Sequence, residues 1–114
     1  MADLNRYCLA LDLKNDPDLI KEYEDYHRHV WPEIVESIKA SGIQNMEIYR
    51  TGNRLFMIME VGPAFSFDKK ARADAANPKV QDWETLMWKF QQPLQWAAAG
   101  EKWMLMDKIF ALTT

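Results

Sequence analysis

Two histidines occur in this chain, and their surroundings differ. His27 stands four residues after Tyr23 and four before Trp31. On a helix, positions 23 and 27 lie on one face, a turn apart. Imidazole titrates near neutrality, so a histidine so placed can give and take a proton at physiological pH. A histidine near a helix end can equally serve the last carbonyls of that helix, and spacing alone leaves both roles open. His29, two residues on, points elsewhere and reads as solvated. Tyr23 and Tyr26 could offer hydroxyls to a polar ligand or simply pack. Trp83-Glu84 forms a second constellation: an indole can stack on the C–H face of a sugar while the adjacent carboxylate accepts hydroxyl hydrogen bonds. Trp83 also falls on an apolar stripe that suits a plain core role, and Glu84 could be a solvated helix charge.

What is missing narrows the chemistry. The chain has no glycine-rich phosphate loop, no dinucleotide fingerprint and no His/Asp/Glu cluster at metal spacing. Its single cysteine, Cys8, precludes an intrachain disulfide and a thiolate zinc site. Proton transfer on a small neutral ligand is the chemistry left, with no cofactor and no metal expected.

The elements that must position these groups are few. With 114 residues, the chain is expected to form one domain, 1–114, and 48% hydrophobic residues supply its core. Fourteen basic against 17 acidic residues give a net charge of −3, so no basic face is implied and nucleic acid is not an expected partner. The longest apolar run, Leu55 to Met59, is far too short to span a bilayer, so no membrane is expected either. Met1 to Arg6 carries no basic region followed by an apolar stretch, and with a lone Cys the expected location is the cytoplasm.

Arg6 to Lys14 alternates as a strand, with Tyr7, Leu9, Leu11 and Leu13 on one face. Asp16-Pro17 opens a helix as N-cap and first residue. That helix should end before Trp31-Pro32, with Trp31 a wedge at the break. A second segment runs from Glu33 to Ala40, with Ile34, Val35 and Ile38 as its buried stripe and Ser41-Gly42 as its stop. Ile43 to Arg50 and Arg54 to Val61 are strands joined by Thr51-Gly52-Asn53. Phe67 to Pro93 reads as helical with an interruption at Asn77-Pro78, and Trp103 to Leu112 as the last strand.

The order β–α–β–β–α–β is that of an α+β, ferredoxin-like fold, a four-stranded sheet with helices on one face. Strands 54–61 and 103–112 are nevertheless apolar on both sides. The uncovered face must be buried by something else, and a homodimer is expected.

These residues also resemble a known family. Tyr23-Glu24-Asp25-Tyr26-His27 followed by Val30-Trp31-Pro32-Glu33 looks like the YxxxH…WPE signature of the L-rhamnose mutarotases. Asn45-Met46-Glu47-Ile48-Tyr49 and Asn53-Arg54-Leu55-Phe56-Met57 resemble that family's central hairpin, and Val80-Gln81-Asp82-Trp83 its second-helix motif. The similarity covers about residues 6 to 90. It implies a dimeric ferredoxin-like α/β barrel, an isomerase that interconverts the anomers of a 6-deoxy-L-sugar. It further implies that His27 is the catalytic proton donor and that Tyr23 and Trp83 contact the monosaccharide. Two positions depart from the rhamnose-type pattern: Glu84 stands where that pattern has a second Trp, and Met46 where it has a substrate-contacting Tyr. The segments Gln91-Gln92-Pro93-Leu94 and Gly100-Glu101-Lys102-Trp103 look more like the branch associated with L-fucose, which is favoured over L-rhamnose.

Mutarotation needs one proton delivered to the ring oxygen and one removed from the anomeric hydroxyl, and no cofactor. His27 can act as acid and then base. Glu84 is the candidate for the other proton, with Tyr23 or water able to serve instead. Two other classes fit the same pattern less fully: a dimeric ferredoxin-like oxygenase or haem-binding barrel, and a non-enzymatic ligand-binding or interaction module.

Overall fold

The computed structural model describes residues 5–113. Residues 1–4, part of the stretch read for an export signal, lie outside that range. The elements run β1 (Asn5–Leu13), α1 (Pro17–Arg28), α2 (Pro32–Ala40), β2 (Ile43–Thr51), β3 (Arg54–Val61), α3 (Phe67–Ala75), α4 (Pro78–Met87), β4 (Gln91–Gln92) and β5 (Met104–Leu105). The sheet is antiparallel, ordered β2-β3-β1-β4, with β5 also paired to β1. This is the expected ferredoxin-like α+β arrangement.

Alternation along β3 builds the two faces. Leu55, Met57, Met59 and Val61 are buried beneath the helices, while Phe56, Ile58 and Glu60 are half-buried on the other side. In β2 a strict alternation would place Ile43 and Met46 on opposite faces. A register shift between Ile43 and Asn45 resets the phase, so Ile43 opposes Val61 and Met46 opposes Met59 on the same face. The β2–β3 turn needs a left-handed residue, supplied by Gly52 at φ 56°. Asn53 then ties the turn to the end of β1 through Leu13 N–H to Asn53 O at 2.6 Å and Asn53 Nδ2–H to Leu13 O at 3.0 Å.

Each helix starts as its sequence dictates. The Asp16 carboxylate accepts from the N–H groups of Asp18 and Leu19, and Pro17 occupies the first turn. The Asn77 side chain accepts from Lys79 and Val80 ahead of α4. Pro32 and Pro78 open α2 and α4, as the breaks before proline required. In α2, Ile34 is buried and Ile38 half-buried, but Val35 is 36% exposed, so the stripe is narrower than its spacing suggested.

Two features correct the sequence reading. The second helical region ends at Met87 rather than near Pro93: after a turn, Gln91–Gln92 pairs with Asp12 and Leu13 of β1. The last strand is not Trp103 to Leu112. Only Met104 and Leu105 pair with β1, extended by Met106 N–H to Cys8 O at 2.8 Å. The edge of β1 is thus shared between two short strands. Beyond Met106 the chain leaves the sheet, with Ile109, Phe110 and Leu112 75–95% exposed.

The core lies between the sheet and the helices in two clusters. One gathers Leu13, Tyr23, Ile34, Leu55, Val80, Trp83, Met87 and Phe90. The other gathers Leu9, Ile43, Met57, Met59 and Val61. Ile38, Ile48 and Trp103 pack against both. The open sheet face has no helix over it. No helix among the described residues is long and apolar enough to cross a membrane.

Candidate active site

α1 delivers Tyr23 and His27 to the cluster it shares with α4. The two rings stack with centroids 4.3 Å apart at 34°. His27 Nδ1 lies 2.9 Å from the Tyr23 carbonyl oxygen. A carbonyl only accepts, so Nδ1 carries the proton and Nε2 keeps a free lone pair. Burial lowers the His27 pKa below its usual 6.5, and the bond to the Tyr23 carbonyl offsets part of that effect. At neutral pH the ring is therefore a neutral imidazole with its basic nitrogen unengaged by that bond.

Trp83 is the hub of the aromatic wall. Its ring lies 5.7 Å from His27, 5.1 Å from Trp31 and 6.4 Å from Tyr26, each edge-on. Phe90 meets Tyr23 at 6.1 Å and Tyr26 at 5.8 Å. Trp83 is only 8% exposed, so most of its surface belongs to the core. Trp31 sits at the break between α1 and α2, as expected, and packs on this wall.

Burial pushes the Tyr23 hydroxyl up to about 12; the Gln91 amide beside it opposes the shift, and the Glu84 charge adds to it. The phenol therefore stays protonated across the physiological range. Glu84 follows Trp83 on α4, and its carboxylate accepts from Lys102 Nζ, which comes from the loop before β5. The same ammonium lies 4.9 Å from the centre of the Trp88 ring.

Of the residues singled out in the sequence, His27, Tyr23, Trp83 and Glu84 therefore converge around one end of α1 and α4. Met46 packs against the second cluster, opposite Met59. His29 is exposed, as expected. Two clefts open nearby. One of about 360 Å³ is lined by Glu22, Asp25, Tyr26, His29 and Trp31, and another of about 330 Å³ lies around Ser37, Gly42 and Lys70. His27 lines neither of these two; the aromatic wall marks this site. Gln91 and Lys102 were not singled out as site residues. A Gln directly after Phe90 in a buried turn was the available signal for the first; nothing local marked the second.

Fold and site together describe a ferredoxin-like α+β protein whose neutral histidine is set in an aromatic wall. The L-rhamnose mutarotase family model matches residues 6–112. An L-fucose mutarotase from Xanthomonas campestris is 47% identical over 112 residues, spanning 96% of this chain and 90% of that protein. An L-rhamnose mutarotase from Oceanobacillus iheyensis is 32% identical over 80 residues, spanning 68% of this chain and 69% of that protein. The crystal structure of an L-rhamnose mutarotase from Formosa agariphila superposes with a TM-score of 0.67 over 95% of this chain and 98% of that one; at 20% identity, this supports the fold. The chain belongs to the L-rhamnose mutarotase family.

Proposed function

We propose that this protein is an isomerase that interconverts the α and β anomers of a 6-deoxy-L-aldose, L-fucose ahead of L-rhamnose. The observation that carries this reading is a neutral His27 with a free Nε2, held by Tyr23 and walled by Trp83, in a chain 47% identical to an L-fucose mutarotase.

In this reading, His27 acts first as base and only then as donor, the reverse of the order expected from the sequence. Its ring is neutral with Nδ1 already donating, so Nε2 takes the proton of the anomeric hydroxyl. As the electron pair collapses to a C1 carbonyl, the C1–O5 bond breaks and O5 takes a proton. C1–C2 rotation presents the other carbonyl face, and closure returns both protons in reverse. No net proton, electron or bond is gained. The Glu84–Lys102 pair handles the O5 proton, and the Tyr23 hydroxyl, protonated throughout, donates a hydrogen bond to the sugar. Acid–base help from one positioned group is worth about 10²–10⁴-fold. Met46, packed against the second cluster from β2, takes in this reading an apolar place where the rhamnose-type pattern has a polar contact.

The same reading takes residues 1–114 as one domain working as a homodimer in the cytoplasm, where Cys8 remains a thiol. The dimer is supported by the open sheet face, with Ala10, Phe56, Ile58 and Met104 on it and Tyr49 54% exposed. Ion pairs from Arg6 to Glu60 at 3.3 Å and from Arg54 to Asp12 at 2.8 Å rim that face.

Saturation-transfer NMR on L-fucose and L-rhamnose tests the activity. Exchange well above the buffer rate is expected, with loss in His27→Ala. Equal exchange with and without protein, or in variant and wild type, would sink the proposal.

A further inference from the structure

Gln91 does not fit its surroundings. It is a buried polar residue, 4% exposed, placed between Phe90 and the paired edge of β1. Its Oε1 is the buried side-chain polar atom that finds no hydrogen-bond partner among the described residues. A buried acceptor without a donor costs stability. Methionine, of similar length and volume, would fill the same space at no such cost. The Tyr23 hydroxyl accounts for the nitrogen end of the amide, and the fold gives no reason for the unpaired Oε1.

Its position does give one. The amide stands beside the Tyr23 hydroxyl, and Tyr23 is stacked on His27. An acceptor next to the proton-transfer residue, left empty by the protein itself, suits a hydroxyl that arrives with a ligand. We propose that Gln91 Oε1 accepts a hydrogen bond from a hydroxyl of the bound sugar and that Gln91 thereby sets which sugar is preferred. This rests on the mutarotase reading. L-fucose and L-rhamnose share the methyl group and differ in configuration at C2 and C4, so the hydroxyl read is at one of those carbons. A site built to bond a hydroxyl discriminates far more strongly than an apolar pocket does, because the wrong sugar leaves the buried group unpaired.

The test is Gln91→Met, assayed by anomer exchange on both sugars and by thermal unfolding without sugar. The expected result is a fall in kcat/KM for L-fucose of about 10- to 100-fold and a much smaller change for L-rhamnose. Equal changes for both sugars, or none, overturn the proposal. Tm checks only that both assays are made on folded protein, since the variant also loses the Tyr23 contact. If wild-type protein accelerates neither sugar, the mutarotase reading fails alone. Titration of tryptophan fluorescence with L-fucose then decides on Gln91: binding lost only in the variant keeps the role, and equal titrations, or none, discard it.

Discussion

His27 and Tyr23 are bound to each other twice, by stacked rings and by the Nδ1–H bond to a carbonyl one turn back. Their spacing of four residues is what permits both contacts, since an i, i+4 pair shares a helix face. The consequence for pH is directional. Burial lowers the His27 pKa below 6.5, so the basic form dominates at neutrality and exchange should fall as pH drops below about 6.5. The same shift acts on stability: the unfolded chain binds the proton first, so the His27 contribution is full above the unfolded pKa and is lost as pH falls through the folded one. His27→Gln should lower kcat by about 10²–10⁴-fold with little change in Tm, measured by NMR exchange and calorimetry. Tyr23 works in the opposite direction. Its pKa is raised to about 12, so its contribution is intact below pH 10 and is lost as pH rises from there to 12. Two pKa units correspond to about 3 kcal/mol. Tyr23→Phe should flatten that alkaline loss in denaturant titrations at pH 9 to 12.

At the scale of elements, caps set where these side chains stand. Asp16 begins α1 and Asn77 begins α4, and both accept two backbone N–H groups. Asp16→Ala and Asn77→Ala should each cost about 1 kcal/mol of stability, read from urea unfolding. Asn77→Ala should also raise KM, because α4 carries Trp83 and Glu84. Trp83→Ala removes a ring that touches His27, Tyr26 and Trp31, and about 3–5 kcal/mol of stability should go with it. These element boundaries were legible in the chain because proline, aspartate and asparagine act locally. The edge strands were not. Met104 to Leu112 alternates well enough to pass for a strand, yet pairing partners, and not alternation, make a strand, and only Met104 and Leu105 pair with β1.

At the scale of the whole molecule, two stretches leave apolar surface in water, the open sheet face and the segment after Met106. Ile109 is 95% exposed and Leu112 88%, an arrangement that monomeric proteins rarely carry as a contiguous patch. Truncation after Met106 should weaken the proposed dimer, and sedimentation velocity at micromolar concentration should show the monomer share rise. An unchanged dimer would assign the association to the sheet face alone. Phe56→Lys, at the centre of that face, should dissociate it in the same measurement.

What the sequence by itself determined is the element order up to the second helical region, the helix starts, the two-faced strand 54–61 and the placing of Tyr23 and His27 on one helix face, since each follows from local rules and periodicity. Trp83 was tied to that pair by resemblance to relatives, and Glu84, a departure from their pattern, by its chemistry alone. Tertiary structure alone decided that Trp83 is mostly core, that Lys102 reaches back to Glu84 across 18 residues, and that Gln91 is buried without a partner beside Tyr23. Those contacts join segments far apart in the chain, and no local propensity encodes which distant side chain a buried polar group will meet.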